Sequence, residues 1–496
     1  MKKFLAVLLT ACLLLTMASA ETAETTIVLG DAITVNGEVI REDETAAVFL
    51  THSVETHEDV PAALAGVVNR VVTITDGGVY RISGKAMDTQ IAVKAEAADD
   101  VRLILDGVDL TCRTHAAIAV YSARDPRTAG EYGVTIELAE GSDNRITGSH
   151  NAAAEGEPEF DGAIGSQVSL GFEGTGSLTV DADNEGVEVA SGHMTINGGV
   201  FHIEAGDDPL NVSEDGVGVL TMNGGYVYSA VKNAPGGEGD GIDSNGWIVF
   251  NGGTAINLAH PSSQDGGIDS DMGSSVNGGV IVGAGNMYDP IESSSAQLFM
   301  MLEFSESTDD LIVVTDAAGV PVFAYDFPYD YMYIAFSTPE LKEGKVYHVY
   351  LGGEIEGEQQ DGLYTTITAY TPGRQLMHGG GVAEQRGMMA FEGQMPEGME
   401  PPAGFGFGQG GQMPEGMEPP TGFGFGQGGQ MPEGMEPPAG FDFGRGGQRP
   451  EGMEPPEGFV PGQGGPMGME SSAEVATGDF VLTRENSAFS NVSAME

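Results

Sequence analysis

Asn-Gly-Gly occurs at Asn197, Asn223, Asn251 and Asn277, with spacings of 26, 28 and 26 residues. Recurrence at that period marks a solenoid, in which each supersecondary unit buries its apolar face only by stacking on the next. A short strand-like stretch precedes every copy: Met194-Thr195-Ile196, Leu220-Thr221-Met222, Ile248-Val249-Phe250 and Ser274-Ser275-Val276. Another follows, as in Val200-Phe201-His202-Ile203. Helical periodicity is absent here, and three short strands with three turns per unit make one coil of a parallel β-helix.

The third strand of each coil supplies a register. Ile164, Val187, Leu210, Ile242, Ile268 and Ile291 are spaced 23, 23, 32, 26 and 23 residues apart and are expected to stack inside the coil. Two residues later Ser166, Val189, Val212, Ser244, Ser270 and Ser293 point the same way, because strand side chains alternate. Less regular strands upstream, such as Val71-Val72-Thr73-Ile74 and Val134-Thr135-Ile136-Glu137-Leu138, read as earlier coils. The expected fold is all-β. A parallel β-helix covers residues 65–295 after N-terminal strands and a cap at 21–64, and a small β-rich cap unit follows at 296–372.

That register also places two acidic columns outside. The position after each inward residue reads Gly165, Glu188, Asn211, Asp243, Asp269 and Glu292, and two or three before it stand Asp161, Glu185, Asp208, Asp240, Asp265 and Asp289. Stacked strands lie about 4.8 Å apart, where two like charges repel by about 1 kcal/mol in water and about 3.5 at an effective dielectric of 20. Between Arg145 and Lys342 the chain offers only Lys232 as counter-charge. A hard divalent cation resolves this, since calcium takes six to eight oxygens from carboxylates, carbonyls and water. The expected calcium ligands are Glu185, Glu188, Asp208, Asp240, Asp243, Asp265, Asp269, Asp289 and Glu292; the competing reading is a solvated acidic face. The run from Asp181 to Gly192 lacks the final Glu of an EF-hand loop, and scattered histidines without a Cys pair disfavour zinc.

Acidic residues outnumber basic ones 74 to 20, for a net charge of −54, a field that repels nucleic acid. Lys2, Lys3, an apolar run from Phe4 to Met17 and Ala18-Ser19-Ala20 read as a secretory signal peptide over 1–20, so the protein is expected to be secreted. A lipoprotein box at Cys12 is the alternative. If Cys12 leaves with the signal, Cys112 is the only cysteine and no intrachain disulfide forms. No second apolar stretch is long enough for a transmembrane helix. Beyond the cap unit, Gln394-Met-Pro-Glu-Gly-Met-Glu-Pro-Pro recurs with an 18-residue period, and residues 373–470 read as a disordered Gly/Pro/Met-rich segment, with a tail at 471–496. It serves as a spacer or as a sticky, wall-threading linker.

The segments Asp161-Gly-Ala-Ile-Gly-Ser, Asp240-Gly-Ile-Asp-Ser, the Thr-Ile-Asn-Gly-Gly strands, Leu103-Ile-Leu-Asp-Gly-Val-Asp-Leu and Thr135-Ile-Glu-Leu-Ala-Glu-Gly-Ser-Asp-Asn resemble the clostridial-type carbohydrate-binding domain family. The resemblance spans about residues 26–372 and departs from the family pattern at Pro209, Pro290 and Gly266-Gly267. It implies a secreted, calcium-containing, right-handed parallel β-helix, related in shape to pectate lyases, that binds plant cell-wall polysaccharide of the cellulose or pectate type without cleaving it. Association with a cell wall is then expected. Alternation after each Asn-Gly-Gly leaves His202, Tyr226 and Tyr228 outside, and these are the expected carbohydrate-binding residues, against the alternative that the tyrosines pack under a loop. Two other functions compete. A calcium-dependent pectate lyase needs a base, for which Lys232 is the only basic candidate in the regular coils; a structural or adhesive surface protein needs no site.

Overall fold

The computed structural model describes residues 24–54, 61–150, 158–379 and 476–495. The signal-like residues and the 18-residue repeats lie outside them. All regular structure among the described residues is β-strand, and no helix there is long and apolar enough to cross a membrane.

Three parallel ladders organise the first two-thirds of the described chain. The first stacks the start of Val101–Thr111 with Val134–Leu138, Leu170–Gly174, His193–Ile196, Val219–Met222, Trp247–Phe250 and Gly273–Val276. The second stacks the end of Val101–Thr111 with Asp143–Gly148, Ser177–Ala182, Val200–Ala205, Tyr226–Val231, Thr254–Leu258 and Val280–Gly285. The third runs Asn69–Ile74, Thr89–Lys94, Ile118–Ser122, Gly162–Ser166, Glu185–Val189, Leu210–Val212 and Asp243–Ser244. From residue 162 the chain visits the third, first and second ladders in turn before repeating.

Register explains the packing. Leu103, Ile136, Phe172, Ile196, Met222, Phe250 and Val276 are successive partners in the first ladder and all belong to one buried core. Removing each such side chain from water stabilises the fold by roughly 1.5–3 kcal/mol. In the third ladder Ile118, Ile164, Val187 and Leu210 pair in sequence, and Ile242 and Ile268 are buried in the same core. The expected inward row stops there. Ile291, although buried, forms its bridge with Ser274 of the first ladder, and Ser293 is exposed. The cause lies one coil earlier, where Val280–Gly285 pairs antiparallel with Tyr331–Ser337 and the stacking ends.

The Asn-Gly-Gly motif has a reason at each position. The asparagine amides form a ladder on the surface: Asn223 donates to Asn197 at 2.8 Å, Asn251 to Asn223 at 2.9 Å and Asn277 to Asn251 at 2.9 Å. A Cβ on the first glycine would meet a carbonyl oxygen of the preceding coil at 2.7 Å at Gly198, 3.0 Å at Gly224, 2.8 Å at Gly252 and 2.7 Å at Gly278. The second glycine takes positive φ, from 86° at Gly253 to 100° at Gly199, where L side chains are strained.

Both ends of the ladders are covered. At the N-terminal end Val48–Ser53 lies antiparallel on Asn69–Ile74, and Glu24–Leu29 lies parallel on Gly78–Met87, so the early edges are paired. At the other end Phe299–Thr308, Tyr331–Ser337, Ile312–Asp316, Pro321–Tyr325 and the long hairpin Lys345–Gln360/Leu363–Met377 form a mixed, mainly antiparallel unit. Its core takes in Ala230, Ile256, Leu258, Val282 and Ala284 from the outer side of the second ladder. Residues 476–495, read from sequence as part of a tail, belong to this unit: Phe480–Leu482 pairs with the hairpin and Ala488–Ala494 with Phe299–Thr308. A bridge between His378 and Thr477 joins the two sides of the intervening segment, with backbone hydrogen bonds of 3.0 and 3.1 Å.

Candidate metal centre and aromatic face

The third ladder is built from strands of only two to five residues over its last four members, so the turns flanking them leave backbone N–H groups outside the ladder. Carboxylates of neighbouring coils accept from these groups. Asp240 N donates to Asp208 Oδ1 at 2.7 Å, Gly266 N to Asp240 Oδ1 at 2.6 Å, Gly239 N to Asp265 Oδ2 at 2.7 Å, Ser270 N to Asp289 Oδ2 at 3.1 Å and Asp161 N to Glu188 Oε2 at 2.9 Å. Such bonds favour the ionised form. Burial opposes them and prevails. It pushes Asp208 up to about 9, with Asp243 and Asp207 adding repulsion, Asp240 to about 8, and Asp243 to about 7 with Asp271 contributing. Asp269 is raised too, by burial first and then by its hydrogen bond with Asp289.

Two groupings result. Asp240, Asp243 and Asp269 each bring one carboxylate oxygen within 4.8 Å of the others. Two oxygens on one calcium at about 2.3–2.6 Å stand at most roughly 4.6–5.2 Å apart, so the spacing of the three is compatible with a single ion. One coil group earlier, Glu185 and Asn211 are 8% and 7% exposed, and Asn211 Nδ2 donates to Glu185 Oε1 at 2.7 Å. Their remaining oxygens, Glu185 Oε2 and Asn211 Oδ1, are buried without a hydrogen-bond partner. A buried unpaired acceptor costs about 1–3 kcal/mol unless a donor or cation meets it. Burial raises Glu185 well above the usual carboxylate range, with Glu188 and Asp208 adding repulsion. Lys232 does not supply the charge: its ammonium bonds to Asp181 Oδ1 at 2.6 Å and to the Ala182 carbonyl. Asn211, read from sequence as a column position and not as a ligand, is the member that sequence reasoning missed.

Glu292 stands apart. It follows Ile291 onto the first ladder, its backbone N–H bonding Ser274 O at 2.8 Å and its carboxylate lying near Gly273. Asp265 and Asp289 sit beside the first grouping through the backbone bonds above and their repulsion on Asp240.

His202, Tyr226 and Tyr228 do come together on the second ladder, with His202 ring centroids 5.9 and 5.8 Å from the two tyrosines. They do not form an open face. Asp361, at the tip of the long hairpin, accepts from Tyr226 OH at 2.6 Å and lies 2.9 Å from His202 Nε2. Both tyrosines pack against the cap core, and burial, followed by Asp361, holds the Tyr228 phenol up at about 12. Sequence alternation put these side chains outside correctly but carried no sign of a hairpin more than a hundred residues later.

Residues 68–297 match the family model described as carbohydrate-binding domain-containing protein. A carbohydrate-binding domain-containing protein of Acetivibrio thermocellus is 34% identical over 143 residues, 28% of this chain. The match spans 46% of that relative, less than half its length. A solved structure of a polysaccharide lyase-like protein from C. thermocellum, a gadolinium derivative, is 24% identical with a TM-score of 0.37, covering 52% of this chain and 90% of that one. The family whose model matches residues 68–297 is the one that the motifs resemble.

Proposed function

We propose that this chain is a secreted, non-catalytic carbohydrate-binding protein that recognises plant cell-wall polysaccharide of the cellulose or pectate type and holds calcium in its acidic columns. The observation that carries the reading is the family match over 68–297, the stretch that contains the coils from Asn69 to Val276 and both acidic groupings. Parallel pairing in all three ladders supports a right-handed parallel β-helix as the scaffold. For calcium, the fit of Asp240, Asp243 and Asp269 around one ion and the two unpartnered oxygens of Glu185 and Asn211 are the support. Calcium would supply positive charge that lets these carboxyls ionise while buried, and would tie successive coils together. Secretion rests on the signal-like residues 1–20. The non-catalytic reading rests on Lys232, whose two hydrogen bonds leave it poorly placed as a base.

The test is a calcium-replete depletion assay of the full chain against cellulose, xylan and pectate, with ultraviolet detection of released unsaturated uronides. Retention on at least one polysaccharide without release is the expected result. Absence of retention on all of them refutes carbohydrate recognition, and uronide release from pectate refutes the non-catalytic part.

A further inference from the structure

A groove of about 520 Å³ opens beside the start of the first ladder, and none of the residues expected from sequence to bind a ligand lines it. Its size falls within the roughly 300–1,000 Å³ of small-molecule clefts. Among the residues lining it are Asp99, Arg102, Arg124, Tyr132 and Glu173. The Tyr132 ring lies across Gly171, where an added Cβ would meet three ring atoms at 2.3–2.4 Å. One ring face therefore rests on backbone, and the other is the groove's aromatic wall.

That wall is fixed in place. Tyr132 OH donates to Glu173 Oε1 at 2.7 Å and accepts from Asn197 Nδ2 at 2.9 Å, which ties the ring to the end of the asparagine ladder. Burial, followed by Glu173, holds the phenol up at about 12, so it stays a donor at neutral pH. The Arg102 guanidinium bridges Glu137 and Glu173, the latter at 2.9 Å. Arg124 bonds Asp100 Oδ1 at 2.6 Å and the Tyr132 carbonyl at 3.0 Å. A half-exposed ring beside alternating guanidinium donors and carboxylate acceptors, each oriented by another protein group, is a pre-organised arrangement that loses little freedom on binding.

The chemistry selects the ligand. Guanidinium and carboxylate side by side satisfy a group that both donates and accepts, which is a hydroxyl. The ring face offers apolar area to an apolar surface of similar width. Both guanidinium groups already face carboxylates, and the chain carries a net charge of −54, so an anionic ligand would gain little here. A pyranose with equatorial hydroxyls presents C–H groups on its faces and hydroxyls around its rim, and it is uncharged. Resting on the carbohydrate-binding reading above, we propose that this groove is the glycan subsite: it takes a neutral chain of equatorial pyranose units, stacked on Tyr132 with Arg102 and Glu173 bonding its hydroxyls. Binding there needs no cation, because none of the acidic-column residues lines the groove.

Isothermal titration of the full chain with cellohexaose, xylohexaose and hexagalacturonate, each in calcium and in chelator, tests this. Wild type is expected to bind a neutral hexaose equally in both conditions. Tyr132→Ala should weaken that binding about tenfold or more, Arg102→Ala should weaken it as well, and Tyr132→Phe, which keeps the ring, should stay within a few-fold, all with unchanged circular dichroism. Undiminished binding by Tyr132→Ala and Arg102→Ala overturns the groove while leaving carbohydrate recognition standing. Binding of hexagalacturonate alone, or binding that disappears in chelator, overturns it in favour of the acidic columns. Wild type that binds none of the three in either condition overturns both the groove and the reading on which it rests.

Discussion

Raising the pH in the presence of chelator should destabilise this protein, against the usual behaviour of carboxylate-rich folds. Asp243 titrates at about 7 when folded, against an ordinary 3.8, because burial disfavours its charge. Below about pH 4 it is protonated in both folded and unfolded chains. Between there and pH 7 the unfolded chain has released the proton while the folded one retains it, so stability falls as pH rises. At about 1.36 kcal/mol per unit, this one group removes about 4 kcal/mol over that window. Asp240 and Asp208, at about 8 and about 9, extend the loss to higher pH in the same direction. Their interactions overlap, so the three contributions do not add. If calcium binds as proposed, it would oppose the loss: held by ionised carboxylates, it would stabilise by about 2.7 kcal/mol at a hundredfold excess over its dissociation constant, with an affinity that grows as protons leave. The assay is a melting-temperature series from pH 4.5 to 8 in chelator and in calcium. The chelated series is expected to fall with pH and the calcium series to stay above it by a margin that widens. Melting temperatures in chelator that are flat or rise over this range refute the reasoning.

Asp243→Asn combined with Asp269→Asn should abolish the calcium response at the first grouping while raising stability in chelator at pH 8, as followed by the same melts. Asp361→Ala should unclasp the hairpin tip at a cost of about 1–2 kcal/mol, since it removes two partly buried charge-assisted hydrogen bonds; ultraviolet titration should then show Tyr226 ionising at lower pH, and an unchanged titration counts against the clasp. Asn251→Ala interrupts the amide ladder on both sides and should cost about 1 kcal/mol in urea unfolding, the modest net value of exposed hydrogen bonds. Gly241→Ala should cost several times as much, upward of about 3 kcal/mol, because its Cβ would lie 2.4 Å from Leu258 N and 2.6 Å from Gly267 O.

Much of the ladder register was legible because the same positions recur. Ile164, Val187 and Leu210 align from spacing alone, since a period-two strand repeated at coil length leaves few alternatives. Ile291 and Ser293 defeated that logic because the coil holding them is cut short by an antiparallel strand from the cap, a tertiary event without a local signal. The acidic columns were visible as charge without counter-charge, but the distinction between Asp243 inside a grouping and Glu292 outside it depends on that same truncation. Asn211 was visible as a column member and passed over because an amide carries no charge; its value lies in an oxygen left unpaired by burial, which only coordinates reveal. Tyr132 offered still less, since its placement comes from a glycine on the following coil, the Glu173 carboxylate and the Asn197 amide.

The bridge between His378 and Thr477 gives the 18-residue repeats a topology that composition alone does not convey. Both sides of the segment start from one point on the cap sheet, so the repeats are an insertion into the unit rather than an end of it. A single proteolytic cut within the repeats would leave both fragments held by strands, and only separation of Phe480–Leu482 and Ala488–Ala494 from the sheet would release the distal one.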